Sequence, residues 1–246
     1  MSQALIRKLQ NFVKLSAAEQ RAIERAGSER VRRIGAHEDI LREGDKPNGA
    51  LLIVDGWACR YKYLEDGRRQ IVGFSVPGDI CDLNVFLLKE MDHSIGSLTE
   101  VVVADLSRET LEGLMSGSTR IAHALWWDNL VANAIQREWT INLGQRDAVE
   151  RMSHLFCELF LRQKSAGRAQ GNSCDFPPTQ AELGDATGLS TVHVNRTLQQ
   201  MRSADLITLQ NKRLVINDID ALMRQAMFNP SYLHLDRDGA HLDAND

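Results

Sequence analysis

The chain has 246 residues, 43% of them hydrophobic and 25% charged, with a formal net charge of −4. This composition excludes a disordered, collagen-like or membrane-spanning chain, and no apolar run approaches the roughly 20 residues that a spanning helix needs. The negative balance excludes indiscriminate binding of polyanions over the whole surface but leaves room for a local basic face, and the length leads us to expect two modest domains.

The opening stretch MSQALIRKLQNFVKL interrupts its apolar residues with Arg7, Lys8 and Lys14 and has no signal-peptide core, which places the protein in the cytoplasm without a membrane partner. Ser16-Ala-Ala-Glu19 reads as a capping box that starts a short helix, LSAAEQRAIERA. From about residue 30 to 110, Gly44, Pro47, Gly56, Asp66-Gly67 and Pro77-Gly78 cut short apolar or alternating runs, as in antiparallel strands. WACRYKYL sets Trp57, Cys59, Tyr61 and Tyr63 on one side against Ala58, Arg60 and Lys62, and Asp66-Gly67 reads as a hairpin turn. A β-barrel or jelly roll is expected there. Cys59, Cys81, Cys157 and Cys174 are widely spaced, without the pattern of a zinc ribbon or a disulfide framework.

IAHALWWDNLVANAIQREWTINL then predicts one long helix. Leu125, Ala132, Ile135 and Trp139 recur at heptad-like intervals and are the expected dimerisation residues, with Trp127, Leu130, Val131, Ala134 and Ile141 forming a second apolar side. A helix buried on all sides within one chain is the alternative. Gly144 and Asp147 stop and restart the helix, RDAVERMSHLFCELFLRQ predicts a helix with a single apolar face, and KSAGRAQGNSCDFPP reads as a loop.

The stretch TQAELGDATGLSTVHVNRTLQQMRSADLI carries the clearest chemistry. Thr179 and Glu182 form a second capping box, Gly188 ends that helix, Ser190 caps the next, and Val194, Leu198 and Met201 define its buried stripe. The opposite side then presents Val192, Arg196, Gln199 and Ser203, flanked by His193 and Asn195, with no carboxylate. Arg can span guanine O6 and N7 and Asn can pair with adenine, as reading the major groove requires. ITLQNKRLVI adds a strand, a turn at Asn211 and a strand, with Lys212 and Arg213 placed for phosphates. The expected DNA-binding set is Thr179, Gln180, Ser190, Thr191, Val192, His193, Asn195, Arg196, Gln199, Lys212 and Arg213.

These residues resemble the winged helix-turn-helix of the Crp/Fnr transcription regulators. LREGDKPNGALLIVDGWACRYKYLEDGRRQIVGFSVPGDICDL resembles that family's cyclic-nucleotide-binding fold, with its EGD and PGD turns. The resemblance implies an α+β protein with an N-terminal antiparallel jelly-roll barrel as sensor (1–116), a long dimerisation helix and hinge (117–146), a winged helix-turn-helix domain (147–228) and a C-terminal tail (229–246). It implies a homodimer on a palindromic double-stranded DNA operator, RNA polymerase as a further partner, and an effector in the barrel. Arg196 matches the family's guanine-reading arginine, and Val192 stands where glutamate is common. A valine cannot accept from cytosine N4 but can touch a thymine methyl, so a different half-site is expected.

The effector is not legible. Asp82 and Leu83 match the family's Glu-Leu, and His93 and Ser94 fall where its phosphate-binding Arg-Ser/Thr stands, so these four are the candidate effector residues. Replacement of that arginine by Asp92 or His93 removes the fixed positive partner of a cyclic phosphate, which argues against cyclic AMP. No cysteine precedes Cys59, which argues against an iron–sulfur cluster, and no metal site is assigned. Phosphate-loop, nucleophile-elbow and zinc-helix motifs are absent, so no enzyme activity is expected. The alternative is a barrel-based small-molecule or metal-binding protein, either a cupin-like enzyme or a module that does not bind DNA.

Overall fold

The computed structural model describes residues 2–83 and 85–235. Two helices come first, α1 (Gln3–Leu9) and α2 (Ala17–Glu29), followed by strands β1 (Val31–Ile34), β2 (Asp39–Leu41), β3 (Gly49–Asp55), β4 (Ala58–Tyr63), β5 (Arg69–Ser75), β6 (Ile80–Cys81), β7 (Ser94–Ser97) and β8 (Val101–Ser107). These strands make two four-stranded antiparallel sheets, ordered β1-β8-β3-β6 and β2-β7-β4-β5. Ile53, Cys81, Ile95 and Val103 are among the side chains that fill the space between them. The jelly roll expected from the turn spacing is therefore present.

Local signals acted where they were read. Ser16 and Glu19 form the reciprocal capping box of α2, and the Asp66-Gly67 turn closes the β4–β5 hairpin with Gly67 at φ 85°. The two sides of β4 do not divide into buried and exposed: Ala58 packs into the core between the sheets, Trp57, Cys59 and Tyr61 are buried on the other side, and Tyr63 at the strand end is exposed. Helix α1 carries no capping signal, yet Leu5, Ile6 and Leu9 are buried against the barrel and α2.

After α3 (Arg108–Gly117), the long helix α4 runs from Thr119 to Gly144. The dimerisation assignment is corrected here. Leu125, Ile135 and Trp139 are 2%, 8% and 5% exposed, packed into their own chain, and Ala132 is half-buried beside them. The large apolar side chains that α4 leaves exposed are Trp126, Leu130, Ile141 and Leu143. Heptad spacing sets the period of a stripe but not its phase, and a shift of one residue turns the face by about 100°.

Asp147 caps α5 (Ala148–Ser165) with Glu150 as its box partner, as expected. The single apolar face is corrected: residues Met152 through Phe160 are all buried, including Ser153, His154 and Glu158. The helix is enclosed by the barrel, α4, and the helices at 191–203 and 219–225. The stretch read as a loop contains β9 (Ala169–Gln170) and β10 (Ser173–Asp175), which extend the wing sheet.

The remaining elements are α6 (Gln180–Thr187), α7 (Thr191–Ser203), β11 (Ile207–Gln210), β12 (Arg213–Ile216) and α8 (Ile219–Gln225). Part of the assigned tail is structured. Asn229 caps a 3-10 turn at Pro230–Leu233, whose Leu233 is buried and whose Tyr232 donates to Glu158. Residues 236–246 of that tail lie outside the described residues.

Candidate nucleic-acid interface and sensor cavity

Helices α6 and α7 are built as their sequence dictates. Thr179 and Glu182 close the capping box of α6, and Gly188 ends it at φ 68°, a left-handed conformation glycine adopts without a Cβ penalty. Ser190 accepts from the His193 amide and starts α7. Val194, Leu198 and Met201 are 0%, 1% and 0% exposed, which fixes the outward face. Val192, Asn195, Arg196, Gln199 and Ser203 lie on that face and are exposed, Thr191 is exposed at the helix start, and His193 is half-buried at the margin of the face.

The wing completes the interface. Ile207–Gln210 pairs with Arg213–Ile216, and the two turn residues Asn211 and Lys212 both have positive φ, as in a two-residue type I′ hairpin. Lys212 is exposed at the tip. Arg213 is already engaged, donating to Asp175 at 3.3 Å and to the Ser173 hydroxyl at 2.9 Å. Thr179 is exposed at the start of α6, and Gln180 accepts from Asn195 Nδ2 at 3.3 Å, so the two helices are tied at the end that carries the predicted contacts. The structure thus gathers the whole predicted DNA-binding set into one winged helix-turn-helix.

The candidate effector residues are brought together less completely. His93 Nε2 lies 2.9 Å from an Asp82 carboxylate oxygen and its Nδ1 lies 2.6 Å from one of Asp92. Burial would lower the His93 pKa, but these two carboxylates raise it above its ordinary value. Asp82, in a left-handed conformation at φ 52°, also accepts from Arg60 at 3.2 Å. Arg60 escaped the sequence reading, since its partner is 22 residues away and β4 periodicity marks it only as outward. Leu83 is buried in the apolar cluster around α1 and α2, and the Ser94 hydroxyl accepts from the Glu43 amide at 3.0 Å.

A cavity of about 150 Å³ lies between β5, the β5–β6 turn and α4, with Arg60, Asp82, Leu83, Asn133 and Gln136 among its walls; His93 and Ser94 are not among them. At its other end is a buried ion cluster. Lys8 pairs with Asp79 at 2.9 Å and Asp128 at 2.6 Å, and Arg162 pairs with Asp79 at 2.6 Å and Glu158 at 3.1 Å. Burial would raise the Asp79 pKa, but Arg162 and Lys8 overcome this and hold it well below the carboxylate range. Burial raises Asp128 and Glu158.

Two family models match the chain: the cyclic nucleotide-binding domain over residues 31–118 and the Crp-like helix-turn-helix domain over residues 150–225. This chain belongs to the Crp/Fnr family. Among Crp/Fnr relatives it is 25% identical over 195 residues to the transcriptional activator protein FnrL of Cereibacter sphaeroides, covering 78% of each chain. It is 27% identical over 194 residues to a probable transcriptional activator of Rhizobium leguminosarum bv. viciae, covering 78% of this chain and 80% of that one. Its fold matches FixK2 of Bradyrhizobium japonicum with a TM-score of 0.70 at 23% identity, over 79% of this chain and 96% of that one. The Crp/Fnr proteins are DNA-binding transcription regulators, and the barrel, long helix and winged helix-turn-helix of that family are all present here. Among the described residues, no helix is long and apolar enough to cross a membrane, and no three His, Cys, Asp or Glu are placed to hold a metal ion.

Proposed function

We propose that this Crp/Fnr regulator acts as a cytoplasmic homodimer that binds a palindromic operator and meets RNA polymerase there, without enzymatic activity of its own. One observation carries the reading: α7 stands on a fully buried stripe and turns toward solvent a face of hydroxyl, amide, guanidinium and one apolar group. That inventory suits base edges, and the helix start suits a phosphate. Trp126, Leu130 and Ile141 on α4 supply an apolar strip for a second copy, with Arg137 exposed among them.

An effector would enter the cavity between barrel and α4, touching Asp82 and Arg60, and act by shifting α4 against the barrel and moving the hinge at Gly144–Asp147. Lys8, Arg60 and Arg162, the cations on its wall, are each paired with carboxylates, so a cyclic phosphate would have to displace an existing partner. For that reason we do not propose cyclic AMP, and the four cysteines, widely spaced and each buried, do not lead us to propose an iron–sulfur cluster. Membership of a regulator family favours this reading over a barrel enzyme.

Selection from a random duplex library with the full-length protein tests it. The expected product is an inverted repeat with half-site centres about one helical turn, ~34 Å, apart. Enrichment of no sequence, or of an unpaired single site, contradicts the reading.

A further inference from the structure

Val192 is 81% exposed, more than any other large apolar side chain among the described residues. It stands in the first turn of α7, on the same face as Arg196 and Gln199. A valine there can neither donate nor accept, and its branched side chain is stiff at χ1, so it loses little freedom when buried. The major groove presents one apolar feature for such a group, the 5-methyl of thymine. The neighbouring Asn195 is held by Gln180, which makes it a positioning residue at the junction of the two helices.

Resting on the DNA-binding reading above, we infer that Val192 is a specificity-determining residue that reads a thymine methyl in each operator half-site. Its position relative to Arg196 gives the address. Four residues of helix advance about 6 Å and return to the same face, so the thymine lies within a few base pairs of the guanine read by Arg196. Cytosine and guanine at that step are not selected by hydrogen bonding, since the exposed face of α7 carries no carboxylate and valine offers no donor.

Deoxyuridine differs from thymidine only by the missing methyl. Each thymine of a selected half-site is replaced in turn by deoxyuridine, and dissociation constants are measured for the full-length protein and for Val192→Ala. The wild type is expected to lose about four-fold per half-site at one thymine, the worth of burying one methyl group. Val192→Ala is expected to bind the thymine and deoxyuridine duplexes equally, and the deoxyuridine duplex as well as the wild type does. Indifference of the wild type to every replacement, or the same discrimination in Val192→Ala, overturns the inference while leaving the regulator reading intact. A library from which nothing is enriched overturns both.

Discussion

Asp79 shows what single residues do in this protein. It accepts from the Val76 amide at 2.8 Å, from Lys8 of α1 and from Arg162 of α5, so one carboxylate joins the amino terminus, the barrel and the DNA-binding domain. Asp79→Ala leaves two buried cations short of a partner and should cost about 3–5 kcal/mol. Its depressed pKa gives the pH sign: the stabilisation is present above the unfolded pKa of about 4 and is lost as pH falls through the lower folded value. Denaturation of wild type and variant from pH 7 to pH 3 should therefore show their difference narrowing at the acid end. The thiols provide a second check. Burial pushes Cys59, Cys81 and Cys157 up to about 12, so none should react with iodoacetamide at pH 8 in the native protein, and all should react in denaturant. Rapid native labelling of Cys59 or Cys81 would contradict their burial. Residue roles set by near neighbours, such as the boxes at Ser16 and Thr179, were legible in the sequence. Asp79, Arg60 and Lys8 were not, because their partners are separated by 22 to 83 positions.

At the scale of elements, the starts and stops were the most readable part, since caps and glycine turns are local chemistry. Gly188 is the test. An alanine there meets Leu143 Cδ2 at an ordinary 3.6 Å, so the penalty is the left-handed backbone alone, about 1–2 kcal/mol, measurable by chemical denaturation. Which face an element buries was less readable. Helix α4 has apolar residues on two sides, and only packing against the barrel shows that Leu125, Ile135 and Trp139 point inward and Trp126, Leu130 and Ile141 outward. Leu130→Glu, in a side chain 65% exposed, should leave the fold intact and shift the protein toward monomer in sedimentation. A dimer of unchanged strength would place the subunit contact elsewhere. Helix α5 misled for a related reason: Ser153, His154 and Glu158 look like a solvated side, yet each is fully buried. Asn142 donates to His154, and Trp139, Arg162 and Tyr232 satisfy Glu158.

The whole molecule joins its two domains through charged contacts rather than a bare hinge. Besides Arg162–Asp79, Arg69 on β5 pairs with Asp185 on α6 at 2.7 Å, placing the first helix of the reading motif against the barrel. Arg151 donates to Arg146 O at 2.9 Å and also to Thr187 O, so the linker after α4 and the end of α6 share one guanidinium. The succession of β-barrel, long helix and helix-turn-helix was legible from turn spacing, capping and periodicity. These contacts between domains were not, since no sequence pattern marks which charges will meet. Sequence-specific regulation by this protein depends on the exposed face of α7 reading base pairs. Its most direct test is an anisotropy titration of wild type and Arg196→Ala against a selected duplex and its scrambled counterpart, over a salt series. The wild type should prefer the selected duplex by about a thousand-fold or more, and Arg196→Ala should give up about ten- to a hundred-fold of that preference with the salt slope nearly unchanged. An undiminished preference in Arg196→Ala, or none in the wild type, would contradict it.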